Sequence, residues 1–345
     1  MLKELIIDTI RREGALSFRD FMNMALYYPG EGYYTASQDR IGAAGDYYTS
    51  PYLTSLFGEM VAAQLEEMWI LMDRPSPFTV VEYGAGAGIL CHDVMERLRS
   101  HEGLFGCLEY RVVEKNGRWN SSPISPVTGV VLSNELVDNF PVHRVLMQDE
   151  LMEVFVGYDD GFTEILRPAS PALRDYLAQL QVTLPKGYST EINLDAKDWI
   201  KEVCRTLERG YVVTIDYGSS SPGLYSSQAG TLACYHEHQL NHSPYEWIGQ
   251  QDITSRVNFS ALDYWGRRCG LEYCGYTSQA RFLQGLGLAR RVRDMELNGR
   301  IQPKEGLRML HTLLVEMGNT FKVLIQRKGV GRKFLSGLQF SEVLA

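Results

Sequence analysis

Several things are scarce or missing in this chain of 345 residues. No Cys-x-x-Cys occurs. The six cysteines are Cys91, Cys107, Cys204, Cys234, Cys269 and Cys274, and only the last two come near each other, with no second pair. That spacing argues against a disulfide framework or a zinc site and for a reducing compartment. No apolar run approaches the ~20 residues of a membrane span. Positive charge is in deficit: Lys+Arg number 34 against 42 Asp+Glu, a formal net charge of −8. Wholesale nucleic-acid binding by phosphate neutralisation is thereby disfavoured, though a local basic groove is not. The first residues carry Glu4 and Asp8, acids that a transit peptide avoids, and no signal-type apolar region follows. Together these absences predict a cytoplasmic protein without a membrane span. Gly-x-Ser-x-Gly, P-loop and His-Glu-x-x-His motifs are also missing, so hydrolase, NTPase and zincin readings lack support. No internal repeat or low-complexity segment is visible.

What is present is ordinary in bulk. Hydrophobic residues make up 45% and charged residues 22%, which suits one large globular domain or a core with additions. The 13 Phe and 20 Tyr suit aromatic-lined pockets or, more commonly, core packing. Leu2, Leu5, Ile6 and Ile10 recur at helical spacing, and 18–26 and 53–71 read as further helices. Between them lie two turn-rich loops, 27–34 and 41–51. Strands are predicted at 79–83, 110–114 (of a buried type), 129–132, 142–147, 152–158, 211–215, 271–276 and 321–326, with another starting near 162. Helices are predicted at 89–98, at 195–208 with an end at Gly210, at 259–269, at 280–288 and at 305–315. Strands alternating with helices predict an α/β fold with a mostly parallel, doubly wound sheet. Such a sheet binds ligands beyond the carboxyl ends of its strands, at the switch point.

The most informative segment is Thr79-Val80-Val81-Glu82-Tyr83-Gly84-Ala85-Gly86-Ala87-Gly88-Ile89-Leu90. A β-branched run ends in an acid, three alternating glycines follow, and then an apolar helix-like stretch begins. Glycines serve where φ is positive and where backbone must approach a ligand, and exposed N–H groups at a helix start favour an anion such as a carboxylate. The spacing is not the Gly-x-Gly-x-x-Gly of dinucleotide binders, which disfavours a nicotinamide oxidoreductase. It resembles motif I of class I S-adenosylmethionine (SAM) methyltransferases. On that reading Gly84, Ala85, Gly86 and Gly88 admit the methionyl moiety, and Glu82 meets an amine or an ordered water. Glu114, at the end of the next strand, accepts hydrogen bonds from the ribose hydroxyls. A plain strand-end charge is the alternative for Glu114.

Ser133-Asn134-Glu135-Leu136-Val137-Asp138-Asn139-Phe140-Pro141 follows the strand that should lie beside a transferred methyl group. Asn134, Glu135 and Asp138 are the candidate catalytic residues, and Asn134 is also a candidate cofactor contact. Paired carboxylates can clamp a guanidinium and localise its charge away from an attacking nitrogen. Glu135 and Asp138 share a face if this turn is helical; the alternative is a helix N-cap with acids favouring the dipole. His236 and His238 form a His-x-His, which fits packing or hydrogen bonding better than a metal, for which more ligands are needed.

Across these blocks the chain resembles the MidA-type methyltransferases, relatives of the mitochondrial complex I assembly factor that methylates arginine. The matching residues include Tyr28-Pro29-Gly30-x-Gly32-Tyr33-Tyr34, Ile41-Gly42-x-x-Gly45-Asp46-Tyr47-x-Thr49-Ser50-Pro51, the glycine segment, Ser133 to Pro141, Ile215-Asp216-Tyr217-Gly218 and Asp252-Ile253-Thr254. Two late blocks, Thr277-Ser278-Gln279 and Met317-Gly318, complete it. Ala85 and Ala87 stand where the family usually carries Pro and Arg, and the stretch 116–129 is short. The resemblance implies a class I SAM methyltransferase fold with an N-terminal helical extension over 1–75, whose loops cover the cofactor with Gly45, Asp46 and Thr49. The Rossmann-like core would then run over 76–345, with a β-hairpin excursion near 142–167 and a helical insertion near 278–317. It implies S-adenosyl-L-methionine as cofactor and methyl transfer to an arginine ω-nitrogen of a partner protein, such as a respiratory complex subunit. A methyltransferase-like assembly factor with little turnover is the competing function.

Overall fold

Paired buried valines mark the centre of the molecule: Val80 and Val81, Val130 and Val131, Val212 and Val213 are all almost wholly inaccessible. Residues buried on both faces form the inner strands of a parallel sheet. A computed structural model describes residues 1–36, 50–114 and 126–344. In chain order its strands are β1 (Leu16–Ser17), β2 (Phe78–Tyr83), β3 (Leu108–Val113), β4 (Val127–Asn134), β5 (His143–Met147), β6 (Leu151–Tyr158), β7 (Phe162–Pro168) and β8 (Ser189–Ile192). There follow β9 (Leu207–Ser219), β10 (Ala233–His236), β11 (Gln239–Asn241), β12 (Asp252–Thr254), β13 (Val257–Asn258), β14 (Glu272–Ser278) and β15 (Phe321–Lys328).

The main sheet has the order β14-β15-β9-β4-β2-β3, with β13 alongside the end of β9. β2 pairs in parallel with both β3 and β4, and β4 with β9. β15 alone runs against its neighbours. The chain leaves β2 towards β3 on one side and returns to β4 on the other, so the switch point lies beyond the carboxyl ends of β2 and β4. Two apolar layers cover the sheet. One contains the helices Ser55–Leu71, Ile89–Leu98 and Gln279–Gly285; the other contains Pro171–Gln179, Leu194–Thr206 and Phe259–Arg268. Asn193 and Asn258 start two of these helices, each side-chain oxygen accepting from the N–H three residues on, at 2.8 and 3.0 Å.

A second, antiparallel sheet joins β5, β6, β7 and β8 to β1. A third, small sheet joins β10 to β11 and β12. The helices Leu2–Glu13 and Phe18–Tyr27 pack with residues of both, through Ile6, Phe18, Phe21, Val156, Cys234 and Ile253.

Several sequence expectations are corrected. The strand placed at 110–114 as buried is β3, an edge strand with Glu109 and Arg111 exposed, because among the described residues it pairs only with β2. The strand placed at 129–132 extends through Ser133 and Asn134. The helix expected to end at Gly210 stops at Thr206, and Gly210 lies inside β9. A Cβ there would sit 1.8 Å from the Gly129 carbonyl oxygen, so the glycine answers a close approach of two strands rather than a helix end. The helix Pro171–Gln179, β8 and the small sheet were not anticipated.

Candidate active site

The carboxyl end of β2 turns sharply. Gly84, Gly86 and Gly88 hold φ of 76°, 57° and 78°, which side chains other than glycine adopt at a cost. Gly88 then caps the helix Ile89–Leu98. The turn leaves no room for a side chain at Gly84, where a Cβ would meet Leu136 Cδ1 at 2.7 Å. Glu114 follows β3 directly and reaches the same turn: its Oε1 accepts from the Gly86 N–H at 2.6 Å. Glu82 is buried within β2, and its Oε2 accepts from the Tyr110 hydroxyl at 2.8 Å. Burial pushes the Glu82 carboxyl up to about 7; the Tyr110 bond opposes this and the Glu114 charge adds to it. The structure therefore brings Glu82, Gly84, Ala85, Gly86, Gly88 and Glu114 together. Gly45, Asp46 and Thr49 lie outside the described residues.

The neighbouring strand supplies carboxylates. Glu135 follows Asn134, the last residue of β4, with φ 53°, and its N–H donates to the Ile215 carbonyl at 2.9 Å. Its Oε1 accepts from Asn134 Nδ2 at 3.1 Å and from the Ser50 N–H at 3.3 Å. Asp138 sits in a single turn of 3₁₀ helix, Val137–Asn139. Glu135 precedes that turn, so it is not a cap, and Leu136 at the capping position makes no side-chain cap bond. Asp216, fully buried in β9, receives the N–H groups of Leu136 (3.1 Å), Val137 (2.8 Å) and Tyr217 (2.8 Å).

These acids interact. Burial, then the Asp216 charge, lift Glu135 to about 8. Burial again comes first for Asp138, which is raised well above the usual carboxylate range, with Asp216, Asp252 and Glu135 adding to it. Burial raises Asp216 too, to about 6, but backbone N–H groups on both of its oxygens oppose the rise and leave it the most acidic of the three. Asn134 Oδ1, Asp138 Oδ1 and Asn139 Oδ1 are buried without a hydrogen-bond partner among the described residues. Three such acceptors on one short segment are costly unless a donor arrives.

Sequence reasoning missed Ser50, Tyr27, Tyr34, Tyr110, Asp252 and Gln279. Ser50 Oγ donates to Gln279 Oε1 at 3.3 Å, so two distant segments support Glu135. Tyr34, Ser50, Asp252 and Gln279 stand in blocks that carry the family resemblance, but nothing in their spacing assigns them a place at the site. His236, by contrast, stacks on Trp247 at 4.7 Å and shares a 3.1 Å contact with the Gln250 carbonyl.

A doubly wound sheet with one reversed strand, a glycine turn at its switch point and an acid on the adjacent strand defines a class I SAM methyltransferase. The residues suit that cofactor: the glycine turn is too tight for side chains, and acids stand ready for an amine and for hydroxyls. The family model for an S-adenosyl-L-methionine-dependent methyltransferase matches residues 60–123 and 116–277, and the chain belongs to this family. It is 28% identical to a COG1565 superfamily member from Burkholderia thailandensis solved with S-adenosyl-homocysteine, with a TM-score of 0.90 over 99% of this chain and 95% of that one. It is 25% identical to the mitochondrial protein arginine methyltransferase NDUFAF7 homolog of Drosophila melanogaster, over 92% of this chain and 82% of the relative. The human protein arginine methyltransferase NDUFAF7 is 24% identical over 85% of this chain and 74% of its own. The chain is thus a SAM-dependent methyltransferase. The cytoplasmic placement expected from the sequence is overturned, because these relatives are named as mitochondrial. Among the described residues no helix is long and apolar enough to cross a membrane.

Proposed function

We propose that this enzyme methylates an ω-nitrogen of an arginine on a partner protein, a respiratory complex subunit being the partner class we favour. The observation that carries this reading is the buried group of Glu135, Asp138 and Asp216 beside three acceptors that lack donors. A guanidinium offers five N–H donors and no acceptor, so it answers both the charge and the empty acceptors. The names of the relatives support it.

When bound, the cofactor supplies a methyl group on a sulfonium. In our reading the backbone of Gly84, Ala85, Gly86 and Gly88 receives its methionyl end. Glu82 takes the amine, Glu114 takes the ribose, and Asn134 stands between cofactor and acceptor. Glu135 and Asp138 orient the guanidinium and draw its charge from the attacking nitrogen. Once that nitrogen had taken the methyl group, with the cofactor leaving as its neutral sulfide, it would have one proton to release. Without a cation beside it Glu135 is raised to about 8 and holds its proton; a guanidinium in contact favours the ionised carboxylate, which can then orient the acceptor and take up the released proton. Incubation of the chain with labelled SAM and a host lysate, followed by mass spectrometry, should find label on arginine. Label confined to lysine, carboxylates or small molecules would refute this reading.

A further inference from the structure

Asp252 opens β12 almost wholly buried, and the Tyr34 hydroxyl donates to its Oδ1 at 2.8 Å. The far end of β12 is tied to the acid turn, since the Ser255 N–H donates to the Asp138 carbonyl at 3.0 Å. The Tyr27 hydroxyl donates to the Asn139 carbonyl of that turn at 3.1 Å. The Tyr27 and Tyr34 rings stack at 5.5 Å with 25° between their planes. Burial above all raises the Tyr27 hydroxyl, and the charges of Asp252, Asp138, Glu114 and Asp195 add to it. Besides Asn139 Oδ1, one further buried polar atom here, Thr254 Oγ1, has no partner among the described residues. Asn139 lies in the acid turn and Thr254 two residues beyond Asp252.

We infer that Asp252 is a third carboxylate of the acceptor site and that Tyr34 is the positioning residue that holds it, so that this side of the site selects a planar guanidinium over an ammonium. The inference rests on the arginine reading and adds what enforces it. A flat ion with donors along its edges can be met by carboxylates at its rim and by aromatic planes, whereas an ammonium is a compact point charge. The Tyr34 hydroxyl on Oδ1 fixes which way the Asp252 carboxylate faces.

The test uses the full chain saturated with S-adenosyl-homocysteine and two probes, ethylguanidinium and ethylammonium, titrated by calorimetry. The wild-type chain should prefer ethylguanidinium by about tenfold or more. Asp252→Asn should remove most of that preference without changing S-adenosyl-homocysteine affinity. Tyr34→Phe, which keeps the ring and loses only the hydroxyl, should lower the preference by several-fold, and Asp252→Glu should restore part of what Asp252→Asn loses. A wild-type preference that survives in both Asp252→Asn and Tyr34→Phe overturns the roles given to these residues while leaving the arginine reading standing. A wild-type chain with no preference overturns the arginine reading itself.

Discussion

The two halves of the candidate site are built in opposite ways. The cofactor half is one continuous piece of chain, β2, its glycine turn and the following helix, plus Glu114 from the next strand over. The candidate acceptor half is assembled from separate segments: Glu135 and Asp138 share one short segment, while Tyr34, Ser50, Asp216, Asp252 and Gln279 each arrive on another stretch or strand. The first half is held by backbone geometry. The second is held by hydrogen bonds between side chains and backbone across the fold, and it concentrates like charge in a buried place. A local motif tolerates distant change, whereas an assembled one depends on every segment that contributes to it. The cost of grouped carboxylates is expected where a cation must be bound.

Four changes would sharpen or break that contrast. The largest effect should come from Glu135→Gln, which keeps shape and removes charge. Methyl transfer should fall on the order of 10²-fold or more while SAM binding, measured by calorimetry, persists. Normal transfer by this variant would place the chemistry elsewhere, with Asp216 and Tyr217 next to be tried. Gly86→Val comes second. Its φ of 57° is strained for a β-branched residue, so SAM affinity should drop by at least about tenfold. A retained circular dichroism spectrum would separate this from unfolding, and an unchanged affinity would remove the cofactor from the turn.

Glu114→Ala is third. The lost bonds to a charged group should weaken SAM and S-adenosyl-homocysteine equally, by about tenfold each. Unequal losses would show that Glu114 senses the methyl group rather than the ribose. The smallest effect is on stability. Because the Asp138 carboxyl is raised in the folded state, folding must take up a proton above the unfolded value near ~4, so stability is kept below that pH and lost as pH rises through the raised value. Asp138→Asn removes this loss. Its melting temperature should match the wild type near pH 4 and exceed it by about 2 °C at pH 8, alongside weaker acceptor binding. A lower melting temperature at pH 8 would mean that Asp138 holds the fold together instead of straining it.

The contrast also explains what could be read in advance. The helix 89–98 and the β2 turn were legible to the residue, because apolar periodicity and alternating glycines after a β-branched run are local signals. The hairpins of β5, β6 and β7 were legible too, through their alternation and the Asp159-Asp160-Gly161 turn. The start of β9 misled: Gly210 looked like a helix stop, and only the approach of the β4 backbone explains it. β3 misled in another way, since an apolar run reads the same at an edge as in the middle of a sheet. Asp252 stood in a block that carries the resemblance but received no role, because one acid before an isoleucine is indistinguishable from a solvated one until Tyr34 is seen against it.

By itself the sequence determined the strand–glycine–helix turn, the strand-end acids Glu82 and Glu114, the alternation that makes a doubly wound sheet, and the family to which these belong. All of these depend on φ, on helix starts and on side-chain periodicity, which are properties of neighbouring residues. Only the tertiary structure decided that Glu135 precedes the 3₁₀ turn instead of capping it, that Glu135 and Asp138 are pushed up further than Asp216, and that Asp252 and the Tyr27–Tyr34 stack adjoin them. Burial and charge coupling act through space, over distances that no spacing along the chain records.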